Sequence, residues 1–181
     1  MKKLTYLAML ALIVMACQPP PPKQYFTESP EIDIAKAAID AYTDQDWDAY
    51  RQLFADTAAI YRNSWGEPIT IDSSIAIHQG GAELVSDISW SGPGEEGPVY
   101  EMIVTDEGAK WVHFWGLWNA TFKATGQEFA IPVNISLQIV EGKIAIDAVI
   151  FDSAPITMAV MAYQESMEDD VEDESDDNDD D

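Results

Sequence analysis

Residues Lys110–Asp152 read KWVHFWGLWNATFKATGQEFAIPVNISLQIVEGKIAIDAVIFD. Three runs rich in Val, Ile, Thr, Phe and Trp, spanning Lys110–Ala124, Gln127–Val140 and Lys143–Asp152, are separated by Thr125-Gly126 and Glu141-Gly142. β-Branched and aromatic residues suit a pleated, covered surface. Dipeptides ending in Gly let the chain reverse at positive φ. The stretch therefore predicts an antiparallel meander of three long strands. Its apolar faces need a covering layer, which the helical segments ahead of it can supply.

Alternation sorts the side chains into faces. In the first run Trp111, His113, Trp115, Leu117 and Asn119 share one face, and Val112, Phe114, Gly116, Trp118 and Phe122 the other. Both are largely apolar, so this strand is expected to be covered on both sides. One side would line a pocket, and the other would meet a C-terminal helix or a second subunit. In the second run Ile131, Val133, Ile135, Leu137 and Ile139 oppose Asn134, Ser136 and Gln138. That polar set either faces solvent or forms a hydrogen-bonding wall of the pocket.

Upstream, Val99–Thr105 reads as one more strand, turned into the meander by Asp106-Glu107-Gly108. Ser89–Pro98 holds three Gly and two Pro in ten residues and predicts irregular backbone. A helix is expected from about Asp72 to Ile88, with Ile75, Ala82, Val85 and Ile88 apolar and Gly80-Gly81 marking a kink or a close approach. Ala58–Arg62 predicts a short strand, followed by a loop at 63–68. Before it, Asp46 caps a helix with Trp47, Tyr50, Leu53 and Phe54 inward, and Ser29-Pro30-Glu31 starts another whose stripe is Ile32, Ala35, Ile39 and Tyr42. After the meander, Pro155–Tyr163 predicts a last helix with Ile156, Val160 and Tyr163 on one side.

The ends are different in kind. Lys2 and Lys3 precede the apolar run Leu4–Met15, so residues 1–16 are expected to be a signal peptide. Val14-Met15-Ala16-Cys17 resembles a bacterial lipobox, and Cys17 is the single cysteine of the chain. Lipidation at Cys17 would hold the protein on a membrane of the bacterial cell envelope and leave the mature domain without a thiol for disulfides, catalysis or metal binding. Residues 17–29, with Pro19–Pro22, read as a tether. One domain of about 135 residues follows (30–164), long enough for a real core. Residues 165–181 carry twelve acids and no base, which predicts a disordered acidic tail.

The formal net charge of −24 falls to −12 once those twelve acids are set aside. Such a body lacks the clustered Lys and Arg that phosphate binding requires, which argues against a nucleic-acid partner. Anionic lipid would repel it too, leaving any anchoring to the acyl chains.

Candidate chemistry is sparse. His78 and His113 are the only side chains that titrate near neutrality without perturbation. His78 paired with Asp147 would suit proton transfer beside a carbonyl; the alternative for either histidine is a buried, hydrogen-bonded structural role. Asp147 lies in an apolar strand and is either exposed by alternation or raised in pKa inside a cavity. Asp152, just ahead of Ser153-Ala154-Pro155, reads as a helix cap. Two histidines 35 residues apart and no thiol predict no metal site. No cofactor motif stands out. Tyr61, Trp65, Trp115, Trp118 and Asn134 are the candidate lining of an apolar ligand pocket, with core packing as the alternative for the aromatics.

The order of elements resembles the nuclear transport factor 2-like superfamily, and within it the SnoaL-like group. The residues that carry this are the helix opening Asp46-Trp47-Asp48-Ala49-Tyr50-Arg51-Gln52-Leu53-Phe54-Ala55-Asp56-Thr57-Ala58, the turn Glu141-Gly142-Lys143-Ile144 leading to Val149-Ile150-Phe151-Asp152, and the aromatic strand with Trp111, Trp115 and Trp118. The resemblance spans roughly residues 31–163. It implies an α+β fold in which a cone-shaped, curved antiparallel sheet wraps around N-terminal helices and leaves a pocket at its open end. It also implies a homodimer through the sheet. Members isomerise, cyclise, dehydrate or hydrolyse small molecules, or bind ligands without known chemistry. The isomerases' Tyr with paired Asp and the epoxide hydrolases' Asp-Arg-Asp have no counterpart here. Three readings follow: a lipid-anchored domain binding a small, mainly apolar molecule; a cofactor-independent isomerase, dehydratase or cyclase; and a dimeric interaction module whose pocket is filled by its own side chains. The sequence does not decide whether the protein is an enzyme.

Overall fold

The computed structural model describes residues 24–92 and 97–176. The expected signal peptide, Cys17, most of the expected tether and the last five residues lie outside the described residues. The elements run β1 (Tyr25–Phe26), α1 (Pro30–Thr43), α2 (Trp47–Gln52), β2 (Phe54–Arg62), α3 (Ile71–Leu84), β3 (Val85–Ser91), β4 (Val99–Val104), β5 (Lys110–Phe122), β6 (Glu128–Val140), β7 (Lys143–Phe151) and α4 (Ala154–Asp176).

The meander is present as its sequence dictates. β5, β6 and β7 pair antiparallel along nearly their full lengths. Glu141 and Gly142 both take positive φ (51° and 76°), as a two-residue turn matched to the strand twist demands. Gly126 sits at φ 77° in the other reversal. The sheet is curved and unclosed, in the order β1-β4-β5-β6-β7-β2. β5 is long enough to serve two partners on one edge: β4 along residues 110–115 and β3 along 117–122.

The helices pack into the concave side. Ser29 caps α1 by accepting from the Ile32 N–H, Pro30 occupies the first turn, and Glu31 pairs with Lys110 on β5 at 2.5 Å. Small residues on the buried stripe, Ala35, Ala38 and Ala41, let the helix backbone approach the sheet, while Ile32 and Ile39 fill the space between. Asp46 caps α2 through the Ala49 N–H, and Thr70 caps α3 through the Ser73 N–H. Arg51 ties the two together by bonding Asp72 at 2.8 Å and Asp56 at 3.0 Å. Two apolar clusters result. One joins α1 to the near half of the sheet, through residues such as Ile32, Ile60, Val112 and Ile144. The other sits under α4 and contains Val85, Phe122, Phe129, Ile131 and Ala159.

Four expectations are corrected. Residues 85–91 are a strand, not the end of a helix followed by loop. Asp87, at φ 57°, forms a bulge, and the register shifts between Ser86 and Ser89. The bulge spaces the inward residues as 85, 88, 90, so Ala82, Val85 and Ile88 mimic a helical stripe. The sheet is not wholly antiparallel, because β2 pairs parallel with β7. Residues 25–26, placed in the tether, form β1 and pair with Met102 and Ile103. Helix α4 continues past Tyr163 as far as Asp176. Good helix formers such as Gln, Glu and Met follow Tyr163, and backbone bonding within the helix needs no packing partner.

Candidate functional site

Between the two clusters lies a cavity of about 210 Å³, walled mainly by aliphatic and aromatic side chains from α1, α2, α3, α4 and the inner face of the sheet. One water needs only ~15 Å³, so this is room for a molecule. Strand alternation settles which side chains reach it. The β5 face carrying Val112, Phe114 and Trp118 points inward, as does the β6 face carrying Ile131, Val133, Ile135 and Leu137. Gly116 is required on this face, because a Cβ there would lie 2.6 Å from the Phe114 ring.

Seven side chains with polar atoms interrupt the apolar wall: Tyr42, Tyr50, Arg62, His78, Trp90, Trp118 and Asp147. Asp147 comes from β7, opposite Leu137 on β6 and Ile60 on β2. It is 6 % exposed and its Oδ1 has no hydrogen-bond partner. Burial without solvation penalises the charged form and raises its pKa to about 7, against a smaller lowering by Arg62. Near neutrality this carboxyl is therefore divided between acid and base. Arg62 stands two residues beyond Ile60 on the same strand face, with its guanidinium 5.6 Å from the centre of the Phe151 ring. Among the described residues it forms no ion pair.

His78 is wedged among aromatics. Its ring meets Tyr42 edge-on at 5.0 Å, lies parallel to Trp47 at 6.1 Å and meets Tyr50 edge-on at 5.9 Å. Nε2 is 3.4 Å from the Ser74 hydroxyl, which is itself buried. Desolvation, with Arg62 adding to it, depresses the His78 pKa to about 3. The ring is neutral at physiological pH and supplies one donor and one acceptor rather than a charge. The Trp118 indole N–H faces the Tyr42 hydroxyl, which it draws down against a pKa rise caused by burial, but makes no completed hydrogen bond.

Of the residues singled out in the sequence, His78, Asp147 and Trp118 share the cavity. His78 and Asp147 are not hydrogen-bonded to each other, and their pKa values are displaced in opposite senses by the same dry surroundings. Tyr61, Trp65, Trp115 and Asn134 do not line it; Tyr61, Trp115 and Asn134 lie on the outer face of the sheet and Trp65 in the loop after β2. Tyr61 follows Ile60 and so points the other way, its ring tilted 43° against that of Trp65, which is 67 % exposed. Trp115 and Asn134 are cross-strand neighbours, on a row that also holds Val99 and Ile150. His113 lies on the same outer face and bonds the Ser136 hydroxyl through Nδ1 at 2.9 Å. Asp152 caps α4 by accepting from the Ala154 N–H, as expected. No group of three or more His, Cys, Asp or Glu able to hold a metal ion comes together among the described residues.

Arg62, Tyr42, Tyr50 and Trp90 line the cavity and were not anticipated. For Arg62 a signal existed. It is a basic residue in phase with the buried Ala58 and Ile60 on the same strand.

No family model and no curated protein matches the chain. Solved structures do. A candidate SnoaL-like polyketide cyclase from Shewanella denitrificans superposes with TM-score 0.56 at 16% identity, covering 75% of this chain and 99% of that one. A nuclear transport factor 2-like protein from Burkholderia xenovorans gives 0.55 at 16% identity, over 74% and 98%. AclR, a candidate hydroxylase from Streptomyces galilaeus, gives 0.58 at 12% identity, over 75% and 98%.

Proposed function

We propose that this chain, whose fold is the SnoaL-like form of the nuclear transport factor 2-like cone, holds a small, mainly apolar molecule in its cavity. The observation that carries the reading is a mostly apolar cavity containing two buried polar atoms without partners, Asp147 Oδ1 and Trp118 Nε1. A buried polar group left unpaired costs on the order of 1–3 kcal/mol. A ligand offering hydrogen bonds to such groups recovers that cost, whereas a wholly hydrocarbon occupant does not. Native mass spectrometry of the full chain tests this. A co-purifying small molecule is expected, and it should disappear in Val149→Phe, which fills the cavity from β7. Apo mass alone, with no molecule taken up from a mixture of apolar metabolites, would remove the proposal.

Proton-transfer chemistry is the finer reading, in which the protein is a cofactor-independent isomerase, dehydratase or cyclase. It is favoured by Asp147, a carboxyl balanced near neutrality inside a dry pocket, and by the cyclase described among its structural neighbours. Asp147 would take and return the proton, with neutral His78 as a hydrogen-bonding wall. Association of two copies through the outer sheet face is a separate proposal, resting on the exposed apolar rows there. Anchoring at the bacterial cell envelope through lipidated Cys17 completes it.

A further inference from the structure

The cavity is not evenly apolar. At one end lie Asp147 and Arg62, one strand apart, with His78 and Tyr50 near enough that Arg62 influences the charge state of both. At the other end, under α4, the wall is hydrocarbon: Phe122, Ile131, Ile156 and Val160. Arg62 is half-buried, has no ion-pair partner among the described residues, and sets its guanidinium over the face of Phe151. Asp147 does not satisfy it: the two are not within salt-bridge distance, and the carboxyl behaves as a desolvated acid rather than as an ion-pair partner. A guanidinium presents a planar fork of donors suited to a carboxylate.

On these grounds we infer that the ligand is an amphipathic monocarboxylate, its carboxylate held between Arg62 and Asp147 and its hydrocarbon body running toward α4. This rests on the ligand-pocket reading and narrows it. The head-group end offers a cation and, once Asp147 is protonated, an acid hydrogen, with no anionic acceptor among the groups that line it. A ligand carboxylate, ionised above about pH 5, accepts from both. A cation would meet Arg62, and a neutral alcohol would leave the guanidinium unpaired. The groups facing Asp147 are Arg62 on β2, Tyr50 on α2 and, across the cavity, His78 on α3 and Tyr42 on α1. Arg62 is the only one of them charged at neutral pH. Binding of an anion beside Asp147 therefore draws a proton onto it from solvent, and affinity falls as the pH is raised through about 7.

The test is titration calorimetry of the full chain with octanoate, octan-1-ol and octylamine. Octanoate should bind tighter than octan-1-ol by about ten- to a hundredfold, the span of one charge-assisted hydrogen bond, and octylamine should not bind. Arg62→Leu should erase that preference while leaving octan-1-ol binding in place, and Arg62→Lys should retain part of it. In two buffers of different ionisation enthalpy at pH 8, octanoate binding should show proton uptake that Asp147→Asn abolishes. Octan-1-ol binding as well as octanoate would leave the pocket standing and overturn the carboxylate. A preference for octanoate that survives Arg62→Leu would overturn the role of Arg62. Binding of none of the three, with no shift in thermal midpoint, would overturn this inference and the pocket reading together.

Discussion

Asp147 and His78 share one dry cavity and are displaced in opposite senses, so their effects on stability oppose each other. The Asp147 carboxyl is raised from 3.8 to about 7, so between pH 4 and 7 the folded state keeps a proton that the unfolded state has lost. Its contribution is present below pH 4 and is gone above 7. His78 is lowered from 6.5 to about 3, so below pH 6.5 the unfolded state takes a proton that the folded state refuses. Its contribution is present above pH 6.5 and lost as the pH falls toward 3. Asp147→Asn should therefore gain stability relative to the parent as pH rises from 4 to 7. His78→Gln should gain relative stability as pH falls from 6.5 to 3. Each difference should be on the order of a few kcal/mol, read from denaturant midpoints across pH. Parallel curves for parent and variant would show that the group is solvated in the folded state. The proton-transfer proposal is tested at the same residue: exchange of solvent deuterium into a bound carbonyl ligand should be lost in Asp147→Asn without loss of binding.

At the scale of elements, the sheet has two faces of different fate. The inner face is closed by α1, α3 and α4. The outer face presents Val99, Ile103, Trp111, Trp115 and Ile150 in neighbouring rows, with Trp115 38 % and Ile150 55 % exposed. Apolar rows of this extent mark interaction surfaces, and a second copy of the same face is self-complementary in a two-fold dimer. Sedimentation should show a dimer, and Trp115→Glu should weaken it more than about a hundredfold, because two carboxylates would be brought together across the axis. A monomeric parent would end that proposal. His113 and Ser136, bonded to each other at the centre of the face, would then be solvent-exposed polar residues.

For the molecule as a whole, charge and address dominate. A formal charge of −24, still −12 without the twelve acids of residues 165–181, gives the chain no attraction of its own for anionic lipid. On the proposed anchoring, membrane residence rests on lipidated Cys17. Cys17→Ser should move the chain from the membrane to the soluble fraction, and metabolic acyl labelling should be lost with it. A variant that stays with the membrane would place the anchor elsewhere. No helix among the described residues is long and apolar enough to cross a bilayer.

What the sequence determined alone was whatever local chemistry dictates. The Glu141-Gly142 reversal, the Ser29 and Asp46 caps and the three long strands are each specified within a few residues, and they fall where the residues predict. What it left undecided was which of two faces looks inward. A period of two assigns Tyr61 and Arg62, or Trp115 and Trp118, to opposite sides without saying which side is the cavity. That choice belongs to the helices packed against the sheet, so Arg62 lines the site and Tyr61 does not. The bulge at Asp87 is tertiary in the same sense, since it exists to keep β3 in register with β5. The displaced acidities of Asp147 and His78 come last of all. They are properties of the dry space the fold encloses; the apolar strand around Asp147 left a raised pKa and an exposed carboxylate equally open.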